Sequence, residues 1–134
     1  KNIEINGYSF RAKIYQKAVW DKNEIVKVPL NDTNPKEIDG ISLDDFFEQN
    51  KIDKVDFIKC DVDGSEPWVL KGLIRTFEKN PHLKMVIEYY PKYIESAGGS
   101  VKDFQDILLK YFDMQVIKDD YGDGCWNLYC TRKL

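Results

Sequence analysis

The chain has 134 residues, of which 43% are apolar and 32% charged, and its formal net charge is −3. That length bounds it at one domain, 1–134, large enough to bury a core. The scattered basic residues lack the footprint of a nucleic-acid binder, and no apolar run nears the roughly 20 residues that span a bilayer. The partners expected are therefore neither nucleic acid nor membrane. Three cysteines, Cys60, Cys125 and Cys130, show no C-x-x-C spacing. They predict reduced thiols in the cytoplasm, not a disulfide frame or a zinc site. The single His82 follows Asn80-Pro81 and reads as a surface turn residue.

In chain order, "KNIEINGY" looks like the end of a helix, with Asn6-Gly7 as its stop. An opening of that kind predicts a piece of a longer protein. Partial alternation over Phe10–Trp20 predicts a strand, "DKNE" a turn, and "IVKVPL" a short strand that Pro29 confines to an edge. The polar run Asn31–Gly40 reads as a loop. Ser42 then caps a helix, with Asp45 near a capping-box position and Leu43, Phe46 and Phe47 as its apolar face. "KVDFIKC" is apolar enough for the centre of a parallel sheet. "SEPWVLKGLIRTFEKN" reads as one helix capped by Ser65, with Pro67 in its first turn. "LKMVIEYY" is a strand reaching Glu88, Pro91–Ser100 a loop, and "SVKDFQDILLKYF" a helix capped by Ser100. "MQVIKDD" and "CWNLYCTRKL" close the chain as a hairpin around "YGDG".

Strands alternating with helices predict an α/β fold: a mostly parallel sheet covered on both faces, with the final hairpin antiparallel. Ligands in such sheets sit at the carboxyl ends of the strands. Asp61, Asp63 and Glu66 follow one such end, and Glu88 lies near the end of the next. Asp63 and Glu66 could serve only to complement a helix N-terminus. Asp61 belongs to the strand end, where an acid is costly unless paired. A calcium loop fails, because Lys59 and Leu70 would fall at its first and twelfth positions. Asp61-Val62-Asp63-Gly64-Ser65 resembles the nucleophile motif of haloacid-dehalogenase-type phosphatases, with Asp61 attacking and Asp63 as acid; Asp119-Asp120 would be its distal pair. A three-residue glycosyltransferase Asp-x-Asp is a weaker match.

A longer stretch, "VDFIKCDVDGSEPWVLKG", resembles the hallmark of FkbM-type S-adenosylmethionine-dependent methyltransferases, Lys-Ile-Asp-Val-Glu-Gly-x-Glu followed by Val-Leu-Lys-Gly. Lys59, Asp61, Val62, Gly64, Glu66 and Val69–Gly72 match; Cys60 and Asp63 depart, and Asp63 is one methylene shorter than the family's Glu. "ISLDDFF", "KNIEINGY", the Ala-x-x-Asp of "KAVWDKNE" and "MVIEYYP" resemble further family segments in the same order. The resemblance implies a partial Rossmann-like methyltransferase fold, the C-terminal two-thirds of the domain, with S-adenosylmethionine as cofactor. It implies transfer to a hydroxyl of a sugar or other secondary metabolite, a small-molecule acceptor. Asp61 and Asp63 would be catalytic, Ala18 would pass the adenine, and Lys59, Glu66 and Glu88 would meet the acceptor. A purely structural alternative pairs Lys59 with Glu88. No metal is implied. The family's Gly-rich cofactor loop is not in this sequence, so the alternative of a non-catalytic α/β fragment stands beside the enzyme. Without the family's first strands, "DFIKC" becomes a sheet edge. Three outcomes follow: the partner strands belong to the rest of the protein, "KIYQKAV" docks there, or two copies pair as a homodimer.

Overall fold

The computed structural model describes residues 1–28, 36–117 and 124–133. Helix α1 (Asn2–Ile5) stops as expected, with Gly7 in the left-handed region at φ +68°. The strand expected over Phe10–Trp20 contracts to β1 (Ala18–Trp20). Phe10, Ile14 and Tyr15 stay exposed, and Arg11 lies over the Tyr8 ring at 4.5 Å. Alternation alone does not make a strand where no neighbour pairs with it.

Strand β2 (Ile25–Val28) and strand β3 (Lys36–Ser42) complete a three-stranded sheet in the order β1-β3-β2. β3 runs parallel to β1 and antiparallel to β2. β2 is an edge strand, as Pro29 suggested; Pro29 itself is outside the described residues. β3 corrects the loop expected to reach Gly40. Its glycine is required by close packing: a Cβ there would meet the Glu24 carbonyl oxygen at 2.8 Å.

Helix α2 (Leu43–Gln49) starts at Ser42, whose Oγ accepts from Asp45 N at 3.1 Å. The capping box closes through a third residue. Asn23 Oδ1 accepts from Ser42 N at 3.1 Å, and its Nδ2 donates to Asp45 Oδ2 at 3.0 Å.

The larger sheet contains β4 (Phe57–Cys60) and β5 (Lys84–Tyr89), which are parallel. β6 (Phe112–Ile117) and β7 (Trp126–Arg132) form the expected antiparallel hairpin, and the order is β4-β5-β7-β6. Residues 118–123, including Asp119-Asp120 and most of "YGDG", are outside the described residues; Gly124 has φ +86°. The expectation of a mostly parallel sheet is corrected. Among the described residues the strands form two sheets, with two parallel pairings and three antiparallel ones.

The segment expected as one helix is two, α3 (Glu66–Lys71) and α4 (Ile74–Lys79). Gly72 lies against β1, where a Cβ would strike the Trp20 carbonyl oxygen. At the break, Asp44 N donates to Gly72 O at 2.8 Å. The Asp44 carboxylate then accepts from Arg75 N at 2.9 Å, Thr76 N at 2.8 Å and Thr76 Oγ1 at 2.6 Å, capping α4 from another helix. Pro91–Ser96 is a short helix, α5, not a loop; Pro91 stands in its first turn and Ile94 is buried. Helix α6 (Val101–Tyr111) is capped as expected, Ser100 Oγ accepting from Asp103 N at 3.0 Å.

Strand alternation sorts the four-stranded sheet into two unlike faces. Cys60, Met85, Ile87, Phe112 and Cys130 are buried in one cluster with Leu70, Leu73, Phe77, Phe104 and Leu108 from α3, α4 and α6. The opposite face carries Phe57, Lys59, Lys84 and Gln115, all exposed. Among the described residues, this sheet is covered on one side only. β4 is half-buried and, among the described residues, pairs with β5 alone, so it is an edge strand there, not a central one. β1 pairs with β3, so the expected docking of "KIYQKAV" onto β4 does not occur.

Candidate functional site

The loop Asp61–Ser65 joins β4 to α3. Cys60 aligns with Ile87 in the parallel β4–β5 pair, so Asp61, just past β4, and Glu88, still within β5, come at the same end of the sheet. Lys59 Nζ donates to Asp61 Oδ2 at 2.9 Å and to Asn127 Oδ1 at 3.1 Å. That corrects the expected Lys59–Glu88 pair: β7, inserted beside β5, supplies the second partner from far along the chain. Glu88 instead accepts from Cys125 Sγ, through Oε1 at 3.2 Å.

The loop is fastened from below. Glu66 is only 1% exposed, and its two oxygens accept from Val62 N and Gly64 N, each at 3.0 Å. This replaces the Ser65 cap expected of α3, whose hydroxyl makes no capping bond. Asp63 has φ +50°, a left-handed conformation that a short polar side chain tolerates. Gly64 has φ +100°, and a Cβ there would meet the Tyr93 carbonyl oxygen at 2.5 Å. Here glycine answers both backbone angle and clearance.

Burial shapes the protonation of the inner groups. It raises the Glu66 carboxyl above its ordinary 4.5; the Val62 and Gly64 amides pull it down, and Glu88 pushes it further up. Burial also drives the Cys60 thiol far up, reinforced by Glu66, Asp61 and Glu88. Cys60 is therefore a thiol, not a thiolate nucleophile. Asp61 and Asp63, by contrast, are exposed.

The structure thus gathers Lys59, Asp61, Asp63, Glu66 and Glu88 about one strand end. Asp61 and Asp63 point no buried burden inward, and Glu66 is occupied by the loop amides. Ala18 stands apart: it opens β1 in the other sheet, half-buried and aligned with Gly40. A residue that sequence reasoning passed over is Asp21, just beyond β1. Its Oδ1 is buried without a hydrogen-bond partner among the described residues. The signal was there, since Asp21 closes the Ala-x-x-Asp spacing that begins at Ala18. No cluster of three metal-ligating side chains exists among the described residues. The arrangement offers two exposed carboxylates on a pinned loop, one ammonium orienting the first, and a third carboxylate on the adjacent strand. It can accept a proton and hold hydroxyl or cationic groups.

The methyltransferase FkbM domain family matches the chain over residues 7–116, a stretch containing the Asp61–Ser65 motif on which the phosphatase alternative rests. A solved structure, methyltransferase FkbM from Methylobacillus flagellatus KT, superposes with a TM-score of 0.62 at 20% identity. The match covers 96% of this chain and 31% of that one, so the chain spans under a third of that relative's length. No curated protein sequence matches. No described helix is long and apolar enough to cross a membrane.

Proposed function

Because the chain belongs to the FkbM methyltransferase domain family, we propose that it forms the C-terminal two-thirds of a Rossmann-like, S-adenosylmethionine-dependent methyltransferase domain acting on a hydroxyl of a sugar or other secondary metabolite. The observation that carries the reading is the β4–β5 register, which sets Asp61 beside Glu88 at the carboxyl rim. Edge strand β4, unpaired on its outer side among the described residues, is consistent with further strands supplied by the rest of the protein.

The residues present fit two parts of a cofactor site, one at the end of β4 and one at the end of β1. The exposed carboxylates suit a sulfonium cation, and Asp21 Oδ1, unpartnered among the described residues and three positions past Ala18, suits a donor such as a nucleoside amine. Asp21 and Ala18 would hold the base side. When bound, S-adenosylmethionine supplies an electrophilic methyl group. Asp61 takes the proton of the acceptor hydroxyl, and Lys59 fixes the direction its carboxylate faces. Asp63 orients the acceptor, while Lys59 and Glu88 meet its neighbouring polar groups. Glu66 acts through the loop it holds and is a positioning residue.

A positioned general base contributes about 10²–10⁴-fold to rate. In the full-length protein, supplied with methyl-labelled S-adenosylmethionine and hydroxyl acceptors, Asp61→Asn should lower kcat/KM by about that factor. By calorimetry, residues 1–134 alone should bind S-adenosylmethionine far more weakly than the full-length protein. Failure of the full-length protein to bind it, or magnesium-dependent phosphate release from an aryl ester abolished by Asp61→Asn, would overturn the proposal.

A further inference from the structure

Asp63-Gly64 lies in the loop between β4 and α3, and its own chemistry is independent of the methyltransferase reading. An aspartate followed by glycine is open to attack by its own backbone, because glycine has no side chain to crowd its nitrogen. That nitrogen can close on the aspartate Cγ to give a five-membered succinimide. We propose that Asp63 is a latent site of spontaneous isomerisation to isoaspartate, and that the buried Glu66 carboxylate is its guard. The bond from Gly64 N to Asp63 Cγ forms, and the amide proton leaves with the carboxyl hydroxyl as water. Water then reopens the ring at either carbonyl. One opening restores aspartate. The other leaves isoaspartate, with the main chain rerouted through the Asp63 side chain. No oxidant or other reactant takes part.

Three observations point to the guard. Asp63 is exposed, so water reaches its carboxyl, whereas Gly64 is buried. The Gly64 N–H donates to Glu66 Oε2 at 3.0 Å. To reach Cγ the nitrogen must turn with its peptide plane. That turn breaks the bond and leaves a buried carboxylate oxygen short of a donor. Finally, the α5 backbone stands against Gly64: a Cβ there would meet the Tyr93 carbonyl oxygen at 2.5 Å, which limits the swing. Neighbouring acids differ. Asp61 precedes Val62, whose branched side chain crowds the nitrogen. Asp39-Gly40 is the same pair, but it lies within β3, and its Gly40 N–H donates to Glu24 O at 2.7 Å, far from Glu66's reach. A glutamate at 63, as in the family pattern from which this chain departs, would have to close a slower six-membered ring.

The test follows Asp63 in the full-length protein incubated in heavy-oxygen water. Each ring opening adds a heavy oxygen at the residue. Mass spectrometry reads it in the tryptic peptide Cys60–Lys71, in which isoaspartate also changes the retention time. Wild type should label slowly at Asp63. Glu66→Ala should label at least about tenfold faster, the order of one buried hydrogen bond lost, while Asp39 keeps its wild-type rate. Adding Asp63→Glu to Glu66→Ala should remove the label. Circular dichroism checks folding. If Glu66→Ala does not fold, Glu66→Gln, which keeps one acceptor oxygen, is read in its place and should also label faster than wild type. An unchanged rate in the folded variant overturns the proposal. So does a slower one, which would make Glu66 the base that withdraws the Gly64 proton. Equal acceleration at Asp39 overturns it too, since the cause would then be a general loosening of the fold.

Discussion

Glu66 is a carboxylate turned inward, and its energetics follow from what it replaces. The two amides it receives would otherwise be unsatisfied donors in a tight loop, each costing about 1–3 kcal/mol if left buried and bare. Because burial raises its folded-state pKa, its titration favours the native state most below about 4.5 and that advantage is lost as pH rises through the raised value. A glutamine cannot titrate, and its NH2 faces a donor. The difference in unfolding free energy between wild type and Glu66→Gln, from urea melts, should therefore widen as pH falls from 7 towards 4.5. Gly64→Ala faces both a positive φ and the Tyr93 carbonyl. It should lose at least about 1–3 kcal/mol in the same assay, the usual cost of a strained backbone position. At this scale the acids themselves were legible: Asp61 follows the end of β4 and Glu88 lies near the end of β5, and parallel pairing sets such residues at one rim. Their partners were not. Lys59 turns to Asn127, and Glu88 to Cys125, because β7 lies beside β5, and single-strand patterning carries no information about that neighbour.

Helices here are decided as much by their neighbours as by their own residues. Ser42 and Ser100 cap helices through bonds three residues along the chain, so their sequence alone identified them. The break between α3 and α4 depends on Gly72 meeting the β1 backbone and on Asp44 reaching over from α2. Both are tertiary, and a continuous apolar stripe from Val69 to Phe77 conceals them. β3 and α5 read as loops in the sequence, one for its polar run to Gly40 and the other for its flanking Pro91 and Gly98-Gly99, yet Gly40 allows a close approach within a strand and Pro91 fits a first helical turn. Asp44→Ala removes three hydrogen bonds at the start of α4. It should destabilise the fold by about 1–2 kcal/mol, the upper range for a lost cap, as read by the shift in urea midpoint at constant slope. Asp45→Ala, which leaves the α4 cap intact, should cost less.

The two sheets are unequal partners in the molecule. The smaller one buries few side chains, chiefly Val26, Ile41 and Ser42, whereas the larger rests on a cluster that includes Phe77, Met85, Ile87, Phe104 and Phe112. Trp20 stacked on Trp68 at 4.7 Å joins β1 to α3. Amide exchange should report this: β3 should exchange at least about tenfold faster than β5, because local opening costs less where fewer apolar groups are buried. Comparable protection in both would mean that they open as one unit. Alternating strands and helices were enough to indicate an α/β fold. They could not reveal that the strands divide between two sheets, since parallel and antiparallel neighbours share the same apolar pattern. The outer side of β4 holds one last consequence. Its amides and carbonyls form a short template, with Phe57 54% exposed beside them. Prepared on its own, this polypeptide should be sticky: its sedimenting mass should climb with concentration, and an added extended peptide able to zip onto that strand should return it to single chains.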